Sequence, residues 1–172
     1  MKLHIGGKVP HPDWRILDAE PRPEVDFVGS AADLSFLANE SVSELYASHV
    51  LEHFHYAMGA ELFHVLAEWK RVLQPGGRLY VAVPDLDVLC RLYIQPHRTV
   101  DEKHFLMGIL FGGQKTLLDV HRSGFSWDTL AAYLEAVGYR NCQRVADFGL
   151  FHDTSLLTVF GEPASLNVIA YK

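Results

Sequence analysis

Cysteine is scarce in this chain: Cys90 and Cys142 are the only two in 172 residues, and they stand far apart. That rules out a disulfide framework and suits a reducing cytoplasm. Positive charge is also in deficit, with 15 Lys and Arg against 21 Asp and Glu and a net charge of -6. A nucleic-acid backbone is therefore not the expected main partner, since phosphate binding needs a basic face. No apolar run is long enough to span a membrane, and the N-terminus has no signal-peptide pattern. Internal repeats and low-complexity segments are missing as well. Hydrophobic residues are plentiful at 49%. A length of this order suits one domain with one core, spanning residues 1–172.

The stretch from Ser43 to Asp85 organises the rest. It begins SELYASHVLEHF, in which Ser43 to Ala47 reads as a strand. Leu62, Phe63, Leu66, Trp69, Val72 and Leu73 then recur on one face of a helix. Arg71 to Leu73 close that helix and Pro75-Gly76-Gly77 stop it. Leu79 to Val83 is a short apolar run with the pattern of a buried strand, ending at Pro84-Asp85. Ligands of open α/β sheets sit at such strand ends.

Together, ASHVLEH, the helix and RVLQPGGRLYVAVPD resemble the Rossmann-like (class I) S-adenosylmethionine-dependent methyltransferases of the type 11 kind. Within them the text is closest to a bacterial group found with sugar and polysaccharide genes. The resemblance implies an α/β fold with a mostly parallel sheet and an antiparallel C-terminal edge. It also implies S-adenosylmethionine as cofactor and a small-molecule acceptor, with a sugar or polysaccharide precursor as the guess.

The opening of the chain departs from that family. Lys2 to Ile5 and Arg15 to Leu17 read as the first two strands, the second ending at Asp18. Only the nine residues from Gly6 to Trp14 join them, too few for the usual crossover helix. At about 3.3 Å each they can span the gap in extended form. The first helix is therefore expected to be missing, which uncovers one face of the sheet. Either loop residues cover that face or a second subunit does, and a homodimer is the expectation.

The family's glycine loop, of the form GxG, is also broken. Gly6 matches its first glycine, but Lys8 stands in place of the second. If that position needs a left-handed backbone, lysine costs about 1–2 kcal/mol there. By resemblance, the cofactor contacts are Gly6, Gly7, Asp18, Asp33, and Ser48 or His49. Asp18 would clasp the ribose hydroxyls, and Asp33 would lie near the adenine or simply cap a turn. The broken loop and missing helix motivate an alternative, a methyltransferase-like binding or assembly module that has lost the cofactor.

For proton transfer the candidates are His53, Asp85 and His121, each weighed against a solvated histidine or a capping aspartate. His49-Val50-Leu51-Glu52-His53 also matches H-x-x-E-H, a zinc-protease pattern, with His55 as a further ligand. That pattern belongs inside a helix, whereas His49 follows a strand, so no metal is assigned. Residues 95–124 read as an irregular lid over the acceptor. Ser126 is expected to cap a helix over Trp127 to Val137, stopped by Gly138. Arg140 to Phe148 and Leu166 to Ala170 read as the last strands. Cys90, Trp69 and Trp127 are expected in the core.

Overall fold

A computed structural model describes the backbone of residues 1–172 and every side chain except that of Met58. Its strands are β1 (Lys2–Ile5), β2 (Trp14–Asp18), β3 (Phe27–Val28), β4 (Val42–Ser48), β5 (Leu73–Pro84), β6 (Arg140–Val145), β7 (Thr158–Val159), β8 (Glu162–Pro163) and β9 (Ser165–Tyr171). Its α-helices are α1 (Glu61–Val72), α2 (Leu86–Tyr93), α3 (Val100–Phe111) and α4 (Trp127–Val137). Seven strands form one sheet in the order β3-β2-β1-β4-β5-β9-β6. β1 to β5 run parallel, and β9 inserts antiparallel between β5 and β6. This is the Rossmann-like sheet with an antiparallel C-terminal edge. β7 and β8 form a separate small hairpin.

Alternation along the strands divides the sheet into two faces. Leu3, Leu45, Leu79, Val81 and Val168 point to one face and pack against Leu62, Leu66 and Trp69 of α1 and Leu130 and Leu134 of α4. Trp69 is fully buried, while Trp127 is only partly so and packs at the edge of that core.

The opposite face carries His4, Trp14, Tyr46 and Tyr80. No helix joins β1 to β2, as the short link dictates. The aromatic segment Phe148–Phe151, from the long connection after β6, covers this face instead. Phe151 lies 4.3 Å from the His4 ring, 4.7 Å from Tyr46 and 5.3 Å from Trp14, measured between ring centroids. Asp153 fastens the segment down by accepting the Tyr46 hydroxyl at 3.0 Å. Trp14 and Tyr80 are only 4% and 5% exposed within the single chain. The physical reason for a second subunit on this face therefore falls away, because loop residues already bury it.

Four local expectations need correction. Leu73 does not close α1: it is already extended and pairs with Val42 of β4. Pro75-Gly76-Gly77 lie inside β5, where its register against β4 shifts between Val42 and Glu44. Residues 95–124 hold a full helix, α3, opened by a capping box between Thr99 and Glu102. Cys90 is exposed on α2 rather than buried. Ser126 and Gly138 do cap α4 at its two ends.

Candidate active site

The carboxyl ends of β1, β2, β4 and β5 meet along one rim. Ile5 stands beside Leu17 and Ala47, and Ser48 stands beside Ala82. The turns that follow carry Gly6-Gly7, His49 and Asp85, with Asp18 closing β2.

Gly6 has φ +75°, and its N–H donates to the Leu17 carbonyl at 2.8 Å. A Cβ there would stand 2.8 Å from Val50 Cγ2, so only glycine fits. Gly7 is buried against the His4 ring. Lys8 is exposed, and its backbone lies outside the left-handed region. The conformational penalty expected for lysine at the broken glycine position does not arise.

Asp18 is held on both oxygens. Oδ1 accepts the Glu20 N–H at 2.8 Å, and Oδ2 accepts Arg22 Nη2 at 2.9 Å. The same Nη2 donates to the Gly7 carbonyl at 2.8 Å, and Nε reaches Glu24 at 2.7 Å. Its hydrogen bonds to Asp18 and then to Glu24 hold the guanidinium above its ordinary value. Arg22 thus bridges the glycine loop and the tip of β2. In sequence it sits in a proline-flanked charged loop, and nothing there separates it from a solvated surface arginine.

Asp33 is exposed in the turn after β3, where Oδ1 accepts the Ser35 N–H at 3.0 Å. The Ser35 hydroxyl and then the Ser35 N–H hold its carboxyl below the ordinary carboxylate range. Ser48 Oγ contacts Thr154 Oγ1 at 2.9 Å and Asp153 at 3.3 Å. Asp85 is buried: it caps α2 through the Val88 N–H and pairs with Arg144 at 2.6 Å. Both of its oxygens are engaged, one in the α2 cap and one in the ion pair.

His53 and His121, far apart in sequence, come together with ring centroids 4.9 Å apart. The strap Leu117–Ser123 makes this contact by folding onto the short turn Leu51–His53. Arg122 and Ser123 N–H groups donate to the Glu52 carbonyl at 2.8 and 3.1 Å, and Arg122 Nη1 donates to the His53 carbonyl at 2.8 Å. Gly112 permits the strap's return, because a Cβ there would stand 2.5 Å from the Asp119 carbonyl oxygen. This explains the FGGQ and DVH texts, which the fold brings side by side.

Protonation at this cluster follows from its hydrogen bonds. The Val120 carbonyl 3.1 Å from His53 Nδ1 can only accept, so Nδ1 carries the proton and Nε2 is a bare acceptor. Ser165 Oγ donates to the Thr154 carbonyl at 2.6 Å and so accepts from His49 Nε2 at 2.7 Å. His49 Nδ1 is then bare and faces Glu52 Oε1 at 3.5 Å. Burial lowers His49 to about 4 and also depresses His53 and His121, so all three are neutral at neutral pH. Glu52 is only 1% exposed, and burial raises its carboxyl to about 8. Sequence reasoning met Glu52 only as a letter in H-x-x-E-H; its burial depends on the strap 70 residues later.

Beside the cluster opens a cavity of about 300 Å³ between the tip of β5, α2, α3 and the strap. Pro84, Leu86, Cys90, Leu110 and Phe111 line its apolar wall, with His121, Arg122 and Ser123 at its polar end. The strap and α3 thus form the wall of a pocket.

The family model for a methyltransferase domain matches residues 15–81. No curated protein matches the chain in sequence. Among solved structures, an S-adenosylmethionine-dependent methyltransferase from Archaeoglobus fulgidus superposes with TM-score 0.61 at 15% identity, covering 99% of this chain and 85% of that one. The 1,6-didemethyltoxoflavin-N1-methyltransferase of Burkholderia thailandensis, with bound 1,6-didemethyltoxoflavin and S-adenosylhomocysteine, superposes with TM-score 0.58 at 15% identity, covering 99% and 70%. An S-adenosylmethionine-dependent methyltransferase from Thermotoga maritima gives TM-score 0.56 at 16% identity, covering 99% and 81%. No helix among the described residues is long and apolar enough to cross a membrane. The methyltransferase-domain model matches residues 15–81, and the sheet has the fold of the class I S-adenosylmethionine-dependent methyltransferases.

Proposed function

We propose that the protein transfers a methyl group from S-adenosylmethionine to a small molecule seated in the cavity between α2, α3 and the strap. The observation that carries this reading is the convergence of two sites on one rim. Gly6 and Asp18 stand at the tips of β1 and β2, and the cavity, lined by the neutral His121 with His53 packed against it, stands beyond the tips of β4 and β5.

The residues at the cofactor end fit such a ligand on one condition. Gly6 leaves the close approach that a nucleoside needs, and Asp18 is the carboxylate that accepts a ribose diol. Arg22 must first let go of Asp18 Oδ2 and the Gly7 carbonyl. When bound, the cofactor supplies an electrophilic methyl group. The chain's own part is to hold the acceptor against Leu110 and Phe111, exclude water, and take up a proton. His53 Nε2 is a bare, neutral nitrogen suited to receive it.

The apolar wall favours an acceptor with a flat or apolar body and one polar group directed at His121 and Arg122. A heteroaromatic ring fits that chemistry better than a bare sugar, which needs polar partners along its length. A precursor of sugar metabolism remains within the small-molecule class.

Arg22 itself favours a second reading, a binding module that no longer takes the cofactor, because it satisfies Asp18 internally. Incubation with S-adenosylmethionine and a panel of heteroaromatic and sugar acceptors, followed by release of S-adenosylhomocysteine, tests the enzyme reading. Turnover with at least one acceptor, lost in Asp18→Asn, is expected. No turnover, with no S-adenosylhomocysteine binding by the wild type or by Arg22→Ala, leaves the module reading standing.

A further inference from the structure

We propose that Glu52, His53 and His121 form a site for one divalent transition-metal ion of the zinc type, open toward the apolar cavity. One potential ligand atom from each of the three lies within 4.8 Å of the others. His121 Nε2 stands 4.0 Å from Glu52 Oε1, and His49 Nδ1 stands 3.5 Å from the same oxygen. In a tetrahedral zinc site with bonds of about 2.0–2.1 Å, ligand atoms stand roughly 3.3 Å apart. Side-chain rotation of about 1 Å closes the difference.

Two features of the cluster call for a cation. Both carboxylate oxygens of Glu52 are buried without a donor. Buried acceptors are nearly always satisfied, and a pair left bare is expensive. His53 gives its Nδ1 proton to the Val120 carbonyl and presents Nε2 bare. That is the arrangement in which a backbone carbonyl fixes a ligating histidine's tautomer.

The sequence pattern H-x-x-E-H is thus used differently from its place in a peptidase helix. Here Glu52 is a ligand rather than a base, and the third ligand comes from the strap. His49 Nδ1 faces the same oxygen and is placed to join as a fourth ligand or to orient Glu52. His121 also lines the cavity, so the ion's remaining position faces the bound molecule. With the ion present, His53 and His121 are ligands. Its Lewis acidity would then lower the acceptor's proton affinity, and the released proton would pass to water rather than to a histidine. The ion site does not depend on methyl transfer, because metal binding is read directly.

The test is titration of chelator-treated, full-length protein with Co²⁺, followed by its visible absorption bands and then by displacement with Zn²⁺. One Co²⁺ per chain is expected, with tetrahedral-type bands that Zn²⁺ abolishes. Glu52→Gln keeps the shape of the buried side chain and removes the anionic ligand. It and His121→Ala should each weaken binding about tenfold or more. His97→Ala, at an exposed histidine, should change nothing. Should His121→Ala fail to fold, Glu52→Gln decides. Absence of stoichiometric binding overturns the site and favours a protonated Glu52 that shares its proton with His49. Binding left intact by Glu52→Gln overturns it too, and assigns the ion to surface histidines.

Discussion

Arg22 Nη2 lies 2.9 Å from Asp18 Oδ2 and donates at 2.8 Å to the Gly7 carbonyl, so one side chain ties the glycine loop to the tip of β2. A ligand that takes Asp18 must displace it. Arg22 is partly exposed, so its ion pairs contribute little to stability, roughly 0.2–1 kcal/mol each. Arg22→Ala is therefore expected to lower stability by about 1 kcal/mol while raising affinity for S-adenosylhomocysteine several-fold. Chemical denaturation and calorimetry on the same preparation read both. Unchanged or weaker affinity would mean that Arg22 helps to hold the ligand.

His4 gives the protein an acid-sensitive point. It is buried among Trp14, Tyr46 and Phe151, and burial lowers it to about 4, with Asp153 opposing the shift and His11 adding to it. Unfolded, it takes a proton near its ordinary 6.5. Between these values the unfolded chain's His4 binds more proton than the folded one's, so the His4 contribution to stability is full above about 6.5 and falls as pH drops toward 4. The loss is on the order of 3 kcal/mol. Urea midpoints for His4→Phe should be markedly flatter over this range than those of the wild type; equal slopes would contradict the assignment.

Phe151 stands in for a helix. Replacing it with alanine strips the cover from His4, Trp14 and Tyr46, with an expected loss of about 2–3 kcal/mol, less than for a fully buried phenylalanine because it is partly exposed. Binding of a dye that fluoresces on apolar surface should rise, and the sample should become prone to associate. A loss under about 0.5 kcal/mol would show that the segment does not seal this face.

Asp85 and Arg144 differ in what each leaves behind. Asp85 is 1% exposed, whereas the Arg144 side chain is half exposed at 50%. Arg144→Ala strands a buried carboxylate and should cost more than Asp85→Asn, about 2–3 against roughly 1–2 kcal/mol. Neither change should alter the pH profile of turnover beyond its effect on folded fraction. Loss of the acidic limb of the turnover profile in Asp85→Asn, beyond the change in folded fraction, would assign Asp85 a proton-transfer role.

The motifs that made the resemblance are local, and they mark what local chemistry decides. The periodicity of α1, the Ser126 cap of α4 and the short β1–β2 link were all legible without coordinates. α3 was not, because VDEKHFLMGILF carries apolar residues on every side and only Leu106 is fully buried. Its exposed Phe105 and Phe111 erase the one-sided pattern by which a helix is recognised. The site divides in the same way. Gly6 and Asp18 could be placed from strand ends, since parallel register fixes where those ends point. Arg22, the burial of Glu52 and the pairing of His53 with His121 depend on where distant loops fall, and no spacing in the chain encodes that. Asp85 was legible as a rim residue, but Arg144, 59 residues on, decides its role.

The most direct measurement is calorimetric titration of the purified chain with S-adenosylhomocysteine, alongside Asp18→Asn and Arg22→Ala. The account predicts one site per chain, binding lost or weakened at least tenfold in Asp18→Asn, and binding strengthened in Arg22→Ala. No heat of binding at millimolar ligand in either the wild type or Arg22→Ala would contradict it, leaving a methyltransferase sheet that serves another ligand.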